Sequence, residues 1–401
     1  MNELGLLLPN WPDGVKEKVK EKIYEYLSGV DCDMICKAVS PLYNIEFNVE
    51  LVKDCIENNY INVLKYVRKI DKKSKVWVGN YLPDAIAKGN LEMFDYLLKL
   101  DSNDYTHIYN SPNRLRCLRA ACSNGHIDLL NYLISLCPAD LRNINLCQYA
   151  AASNRIDVLE HVVNLGCVPD MVTFDNVAKA GNIDMLNWLV ARDYKSINFN
   201  TFTVAALQNN FDMIKMLYEI CNSKKITWIS NEITNAAALI GNLDMLVWLM
   251  KHGCTASYQI VSNATQSGSL SILQYAYSIT PKTEDRVQHF HKTFLINQTV
   301  TGRATDLQTI EILEWFNSFG FSTYTTEATH GAIRRDKHAT MEYLLSHACP
   351  LPVHPLQLAM QYEAIATGIC LAQLYGFTPA DILTAKSKPV LKPLLDYFLK
   401  K

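Results

Sequence analysis

The nine residues Gly241-Asn242-Leu243-Asp244-Met245-Leu246-Val247-Trp248-Leu249 recur, with substitutions, along most of this chain. Clear copies begin at Gly89, Gly125 and Gly181, and looser ones at Asn59, Asn154, Asn209, Gly268, Gln308 and Asp336. Taking the first residue of each copy as slot i, successive slots lie 27 to 40 residues apart. Self-similarity at such a spacing describes a row of like units, each too small to bury its own apolar face.

The chemistry of the slots predicts a helical hairpin. At about 100° per residue, the apolar positions i+2, i+4, i+5, i+7 and i+8 spread around most of a helix and leave i+3 and i+6 as a narrow polar edge. Such a helix is expected to be covered on more than one side, between neighbouring units. Glycine at i suits a left-handed residue closing a preceding helix, Asn at i+1 can cap the next one, and Asp or Glu at i+3 favours the positive end of its dipole. Upstream, i−4 is small in nearly every copy: Ala85, Ala121, Ala150, Ala205, Ala237, Ala264, Ala304 and Ala332, with Cys55 and Val177 elsewhere. A first helix carrying alanine there can approach its neighbours closely. Downstream, Gly166-Cys167, Cys221, Gly253-Cys254 and Ala348-Cys349 fit a helix stop followed by an apolar contact back onto the helix.

This pattern of small residues, Gly-His or Gly-Asn, Leu/Ile-Asp/Glu and a closing aromatic-Leu resembles ankyrin repeats, above all the short divergent kind abundant in protists and amoeba-infecting giant viruses. The segment Cys117-Leu118-Arg119-Ala120-Ala121-Cys122-Ser123-Asn124-Gly125-His126-Ile127-Asp128-Leu129-Leu130 carries the resemblance most fully. The standard Thr-Pro-Leu-His opening is missing, and most units are shorter than 33 residues. The resemblance therefore implies an all-α, ankyrin-like α-solenoid of about ten helix-turn-helix repeats with helical caps, without long β-hairpin fingers, and with the inner face of the first helices carrying contact. It implies a binding role, with no cofactor, no metal and no catalytic residue. The expected organisation is an N-terminal segment over 1–45, repeats over 46–378 with a degraded unit after about 350, and a closing cap over 379–401.

Composition narrows the partners. With 38 basic and 40 acidic residues the net charge is −2, which argues against a nucleic-acid binder or a membrane-surface binder. No run approaches the roughly 18 apolar residues of a membrane span, and the first residues, with an early acid and a short apolar run, do not read as a signal peptide. Of the 12 cysteines at least five fall at the slot after the second helix and Cys55 takes the small i−4 position, where a free thiol packs as a small hydrophobe. An intracellular, cytoplasmic chain follows, in the host cytoplasm if the source is viral. Trp188, Trp248 and Trp315 fall at repeat spacing and are expected in the core. The long interval after Gly268 is expected to hold an enlarged loop or extended helix at a binding face, and its His289-Phe290-His291 lacks acidic or thiol partners at ligand spacing. No phosphate loop, zinc-protease, serine-hydrolase or kinase motif is present.

Residues 1–45 depart from the repeat. Asn10 can cap a helix that carries Val15, Val19, Ile23, Tyr26 and Leu27 on one face and ends at Gly29, and a second helix follows from Asp31 to about Val39. One reading is a polar-faced cap closing the open end of the stack. The other is that Leu8, Pro9, Ile23, Leu27, Ile35 and Val39 resemble an F-box, the short helical module that docks on Skp1 in cullin-based ubiquitin ligases. The expected function is thus a non-catalytic interaction scaffold or adaptor binding another protein, with a substrate-recruiting ligase subunit as the alternative.

Overall fold

The computed structural model describes residues 49–70, 78–101, 112–136, 145–282, 285–294, 310–321, 324–376 and 378–400. They contain 24 α-helices and two short 3-10 turns, and no β-strand is found among them. The all-α class agrees with the sequence; the inter-repeat stretches 71–77, 102–111 and 137–144, where fingers would stand, lie outside the described residues. The chain divides into two compact units, residues 1–196 and 197–401.

In the first unit the hairpins pair α1 (Val49–Glu57) with α2 (Ile61–Ile70), α3 (Leu82–Ala87) with α4 (Leu91–Asp101), α5 (Pro112–Ser123) with α6 (Ile127–Leu136), α7 (Cys147–Ala152) with α8 (Ile156–Asn164), and α9 (Met171–Ala180) with α10 (Ile183–Ala191). The second unit begins with α11 (Phe199–Leu207) and α12 (Phe211–Lys224), α13 (Asn231–Ile240) and α14 (Leu243–Lys251), and α15 (Gln259–Ser267) and α16 (Leu270–Ile279). It continues through α17 (Arg286–Phe294), α18 (Ile310–Ser318), the pairs α19 (Thr326–Arg334) with α20 (His338–Ser346) and α21 (Pro355–Gln361) with α22 (Ile365–Tyr375), and ends in α23 (Pro379–Ser387) and α24 (Lys392–Lys400). First helices stack on first helices, α3 on α5 and α7 on α9 in one unit, α11 on α13 and α13 on α15 in the other.

Nine of the ten slots lie in described residues, and every one is left-handed, with φ between +51° at Asp336 and +80° at Gly241. Gln308 lies outside them. A further left-handed turn at Glu363 (φ +58°) makes the degraded unit after residue 350 a hairpin like the others, with Ala359 fully buried at i−4. The caps follow as read. Asn90, Asn182, Asn210 and Asn242 each accept at Oδ1 the backbone N–H of Met93, Met185, Met213 and Met245, at 2.8 to 2.9 Å. Each thereby satisfies one of the donors that open a helix.

Successive turns also bond to one another. Where a slot holds Asn, the next hairpin's cap is Asn: Asn182 donates to Asn154 Oδ1 at 2.7 Å, Asn242 to Asn209 Oδ1 at 2.8 Å, and Asn90 likewise to Asn59. Where the slot is Gly89 or Gly125, the next residue in register is long and lies over the glycine. A Cβ at Gly89 would stand 2.7 Å from the His126 ring, and one at Gly125 3.0 Å from Arg155, whose Nη1 donates to the Gly125 carbonyl at 2.8 Å. Asp336 provides a third solution. The next turn offers Ala364, which cannot cap, and Asp336 itself accepts the backbone N–H groups of Ala366 (3.1 Å) and Thr367 (2.8 Å) at the start of α22.

The core is narrower than the pattern suggests. The described i−4 residues, Cys55 and Val177 among them, are fully buried, so the first helices meet at close quarters. In the second helices i+4, i+5 and i+8 are buried throughout the described residues, as with Met245, Leu246 and Leu249. Positions i+2 and i+7 are mostly only half covered, which corrects the expectation that these helices are enclosed on several sides. Trp188, Trp248 and Trp315 occupy i+7 and are therefore half-buried rather than core. Their rings cover the edge of the helix: Arg192 stacks over Trp188 with its guanidinium carbon 3.9 Å from the ring centre, and His252 stacks on Trp248 at 3.9 Å. Cys221 is a second correction. The helix continues past it to Lys224 and stops at left-handed Lys225, so this thiol lies inside a helix and not after one.

Candidate interaction surface

The six residues of the F-box-like reading, Leu8, Pro9, Ile23, Leu27, Ile35 and Val39, lie outside the described residues. We call the surface of the first helices the inner one and that of the second helices the outer one. On each first helix, i−9, i−6, i−5 and i−2 form one stripe at helical spacing, pointing away from the buried i−8, i−7, i−4 and i−3. Most of this stripe lies outside the packing, although Pro83, Asn235 and Ala236 on it are buried, and its chemistry differs along the chain.

In the first unit it is charged on most helices, α7 with Asn145, Gln148, Tyr149 and Ala152 being neutral. The stripe on α1 is Glu50, Lys53, Asp54 and Glu57, α5 carries Arg116 and Arg119, and α9 carries Asp175 and Lys179. Arg119 lies with its guanidinium carbon 5.1 Å from the centre of the Tyr149 ring. In the second unit the three helices α11, α13 and α15, packed side by side, carry a single charged residue, Glu232. The rest of their stripe is amide, hydroxyl and aliphatic. Between α13 and α15 these groups are already joined: Asn235 Nδ2 donates to Gln259 Oε1 at 2.8 Å, and Ser257 Oγ donates to Asn235 Oδ1 at 2.6 Å. Asn263 Nδ2 also donates to the Asn235 carbonyl, at 3.0 Å. The sequence pointed to this face of the first helices but not to its residues, because picking them out requires knowing which side of each first helix is left by the packing.

The outer surface is more closely tied to the fold. Tyr132 donates to Asp95 at 2.7 Å, His161 bonds to Asn131 at 2.7 Å, and Arg192 to Glu160 at 2.9 Å, each linking one second helix to the next. Exposed pairs of this kind contribute about 0–1 kcal/mol each.

The long interval after Gly268 holds helix α17, whose Phe290 is fully buried against Tyr277 and Trp315. Its neighbours His289 and His291 are exposed, and the His291 ring stacks on Phe321. An open depression of about 430 Å³ beside them is lined by His291, Lys292, Phe319 and Phe321, with no carboxylate or thiol in its wall. That arrangement provides neither an acid–base pair nor a ligand set. Among the described residues, no group of three or more His, Cys, Asp or Glu is placed to hold a metal ion. The nine described cysteines are free and buried. Burial pushes the thiols of Cys55, Cys117, Cys122 and Cys221 up to about 12, so they are protonated and unreactive at neutral pH. No described helix is long and apolar enough to cross a membrane.

Left-handed slots, asparagine caps and a small residue between close-packed first helices together define an ankyrin-like helical-repeat protein. The chain is similar to a putative ankyrin repeat protein, R837, of Acanthamoeba polyphaga mimivirus, at 25% identity over 156 residues. That match covers 35% of this chain and 25% of the mimivirus protein, so the chain spans only a quarter of its relative's length. The crystal structure of the pentatricopeptide repeat protein PPR10 from maize aligns with 96% of this chain and 72% of its own, at 12% identity and a TM-score of 0.32. No protein-family model matches.

Proposed function

We propose that the chain is a non-catalytic scaffold or adaptor that binds another protein on the inner stripe of its first helices. One observation carries this reading: on most first helices, as on α1, α5, α9 and α15, the stripe stays outside the packing, while i−8, i−7, i−4 and i−3 are consumed by it. Repetition turns a few side chains per hairpin into a long ligand surface whose chemistry can vary without disturbing the fold. Nine free thiols in packing slots support a reducing, cytoplasmic setting.

Site-specific photo-crosslinking of the full chain tests the proposal. A crosslinker at exposed Gln266 on the inner stripe is expected to capture a discrete protein partner, whereas one at exposed Gln274 on the outer side of α16 is not. Capture from Gln274 alone would contradict the reading. The ligase form, in which Leu8, Pro9, Ile23, Leu27, Ile35 and Val39 dock Skp1, rests on the sequence of residues 8–43. It requires Skp1 to co-purify with the full chain and to be lost on Leu27→Asp with Ile35→Asp; retention on the double variant would exclude it.

A further inference from the structure

We propose that the inner face of α11, α13 and α15 binds an uncharged, extended polypeptide segment whose side chains are apolar or amide. The proposal rests on the scaffold reading and names the kind of partner that this part of the stack takes.

Three observations converge. The first is neutrality: across three consecutive first helices only Glu232 is charged, whereas α1 alone carries four charges on the same stripe. A charged ligand group pressed onto this face would lose its hydration and meet no counter-charge, a penalty that neutral groups avoid. Nucleic acid is disfavoured on the same ground, since the face offers no cation to a phosphate.

The second is apolar side chains left in water at both ends of the helices. Phe199, Ile229 and Tyr258 stand at or just before the starts of the three helices, with 41%, 53% and 53% of their surface exposed. Leu207 and Ile240 stand exposed at the other ends of α11 and α13. Isolated exposed hydrophobes are ordinary; two rows framing one neutral face are the pattern of a binding site. The aliphatic members suit apolar side chains better than the hydroxyls of a glycan.

The third is order. Asn235 is held between Gln259 and Ser257, and the Gln259 backbone N–H donates to Ser257 Oγ at 3.0 Å, so the amide row is fixed before a ligand arrives. Asn235 itself is buried and bonded to its neighbours, so the amides left to meet the alternating N–H and C=O groups of an extended main chain are the exposed Gln259 and Gln266 of α15. Pre-organisation of the row lowers the ordering cost of binding.

The test pans a phage library of random 16-residue peptides on the full chain, then measures the selected peptides against variants by titration. The expected peptides are near neutral and rich in apolar and amide residues. Their affinity should change less than about twofold between low and high salt, because no ion pair is being screened. Ile229→Ser with Tyr258→Ser, both at exposed positions, should weaken binding by about tenfold or more. Gln259→Lys with Gln266→Lys should do the same by placing cations on the face, and Asp175→Ser in the first unit should leave binding unchanged. Circular dichroism and melting of each variant verify that the fold is kept. Selection of acidic or basic peptides, or of peptides insensitive to both second-unit variants, overturns this proposal while leaving the scaffold reading intact. Binding of a neutral glycan array, but of no peptide, at Tyr258 also overturns it. Recovery of no ligand of any kind overturns both.

Discussion

The two helices of each hairpin solve different problems. The first sits beside its counterparts through alanine-sized residues, and its free side carries chemistry that changes from hairpin to hairpin, four charges on α1 against one across α11, α13 and α15. The second contributes the bulk of the hydrophobic volume through i+4, i+5 and i+8, then seals its edges with half-exposed aromatics such as Tyr132, Trp188 and Trp248. The difference teaches that what supports the stack and what faces a ligand are largely segregated onto separate helices. A chain built this way can drift in sequence on one side while holding its fold with the other.

The largest expected effect lies within a single second helix. Leu246→Ala removes a fully buried side chain at i+5 and should destabilise its hairpin by about 2–5 kcal/mol, because the neighbouring hairpins cannot collapse into the space. Trp248→Ala, two residues on, removes a larger but half-exposed ring at i+7 and should cost about 1 kcal/mol, near half the value of a fully buried side chain. Native-state hydrogen exchange of the α13 and α14 amides would report both. A Trp248 cost equal to that of Leu246 would restore the enclosed helix that the sequence suggested.

The next effect tests the first helices. Ala237 is fully buried where α13 meets its neighbours, and Ala237→Leu should cost about 1–3 kcal/mol by forcing stacked helices apart. Ala180→Leu, at an exposed position of α9, should change melting by almost nothing. If Ala237→Leu is silent, close approach does not explain why i−4 is small.

Much of this division was legible in advance. A left-handed residue at slot i, Asn at i+1 and a small residue at i−4 each follow from a local rule, and each is in place. The errors have separate causes. Tyrosine and tryptophan count as apolar in a pattern, yet a ring can pack by one face and leave the other in water, so i+7 looked like core. Cys221 was misplaced because α12 runs a turn longer than its counterparts. The Glu363 slot escaped notice because glutamate is not a left-handed residue by preference. The pairing of successive turns left a readable trace, Asn59 before Asn90, Asn154 before Asn182 and Asn209 before Asn242, but only geometry explains why those pairs match.

That pairing separates two kinds of turn. Gly241→Ala should cost about 1–2 kcal/mol, the penalty of a left-handed alanine, since the nearest atoms to the new Cβ are 3.5 Å away. Gly89→Ala adds a collision with the His126 ring at 2.7 Å and should cost more. Asn242→Ala, which removes a cap and the bond to Asn209, should cost about 1 kcal/mol. Equal melting shifts for the two glycine variants would mean that the imidazole gives way freely and that turns are not matched in pairs.

The smallest effect concerns Cys55, the thiol that stands in the alanine slot of α1. Most other hairpins hold alanine there, so Cys55→Ala should alter stability at pH 7 by less than about 1 kcal/mol. Alkaline pH brings the thiol into play. Burial raises it from 9.0 to about 12 in the folded chain, so folding retains a proton that the unfolded chain releases. Its stabilising contribution is complete below pH 9 and is lost as pH climbs toward 12. At pH 10 the unfolded thiol is mostly ionised and the folded one is not, a difference of about 1–1.5 kcal/mol. Hydrogen exchange of α1 should therefore accelerate between pH 9 and pH 10 more in the native chain than in Cys55→Ala, after correction for the intrinsic pH dependence of exchange. Identical behaviour of the two would place the Cys55 thiol in water, and with it the inner edge of the first hairpin.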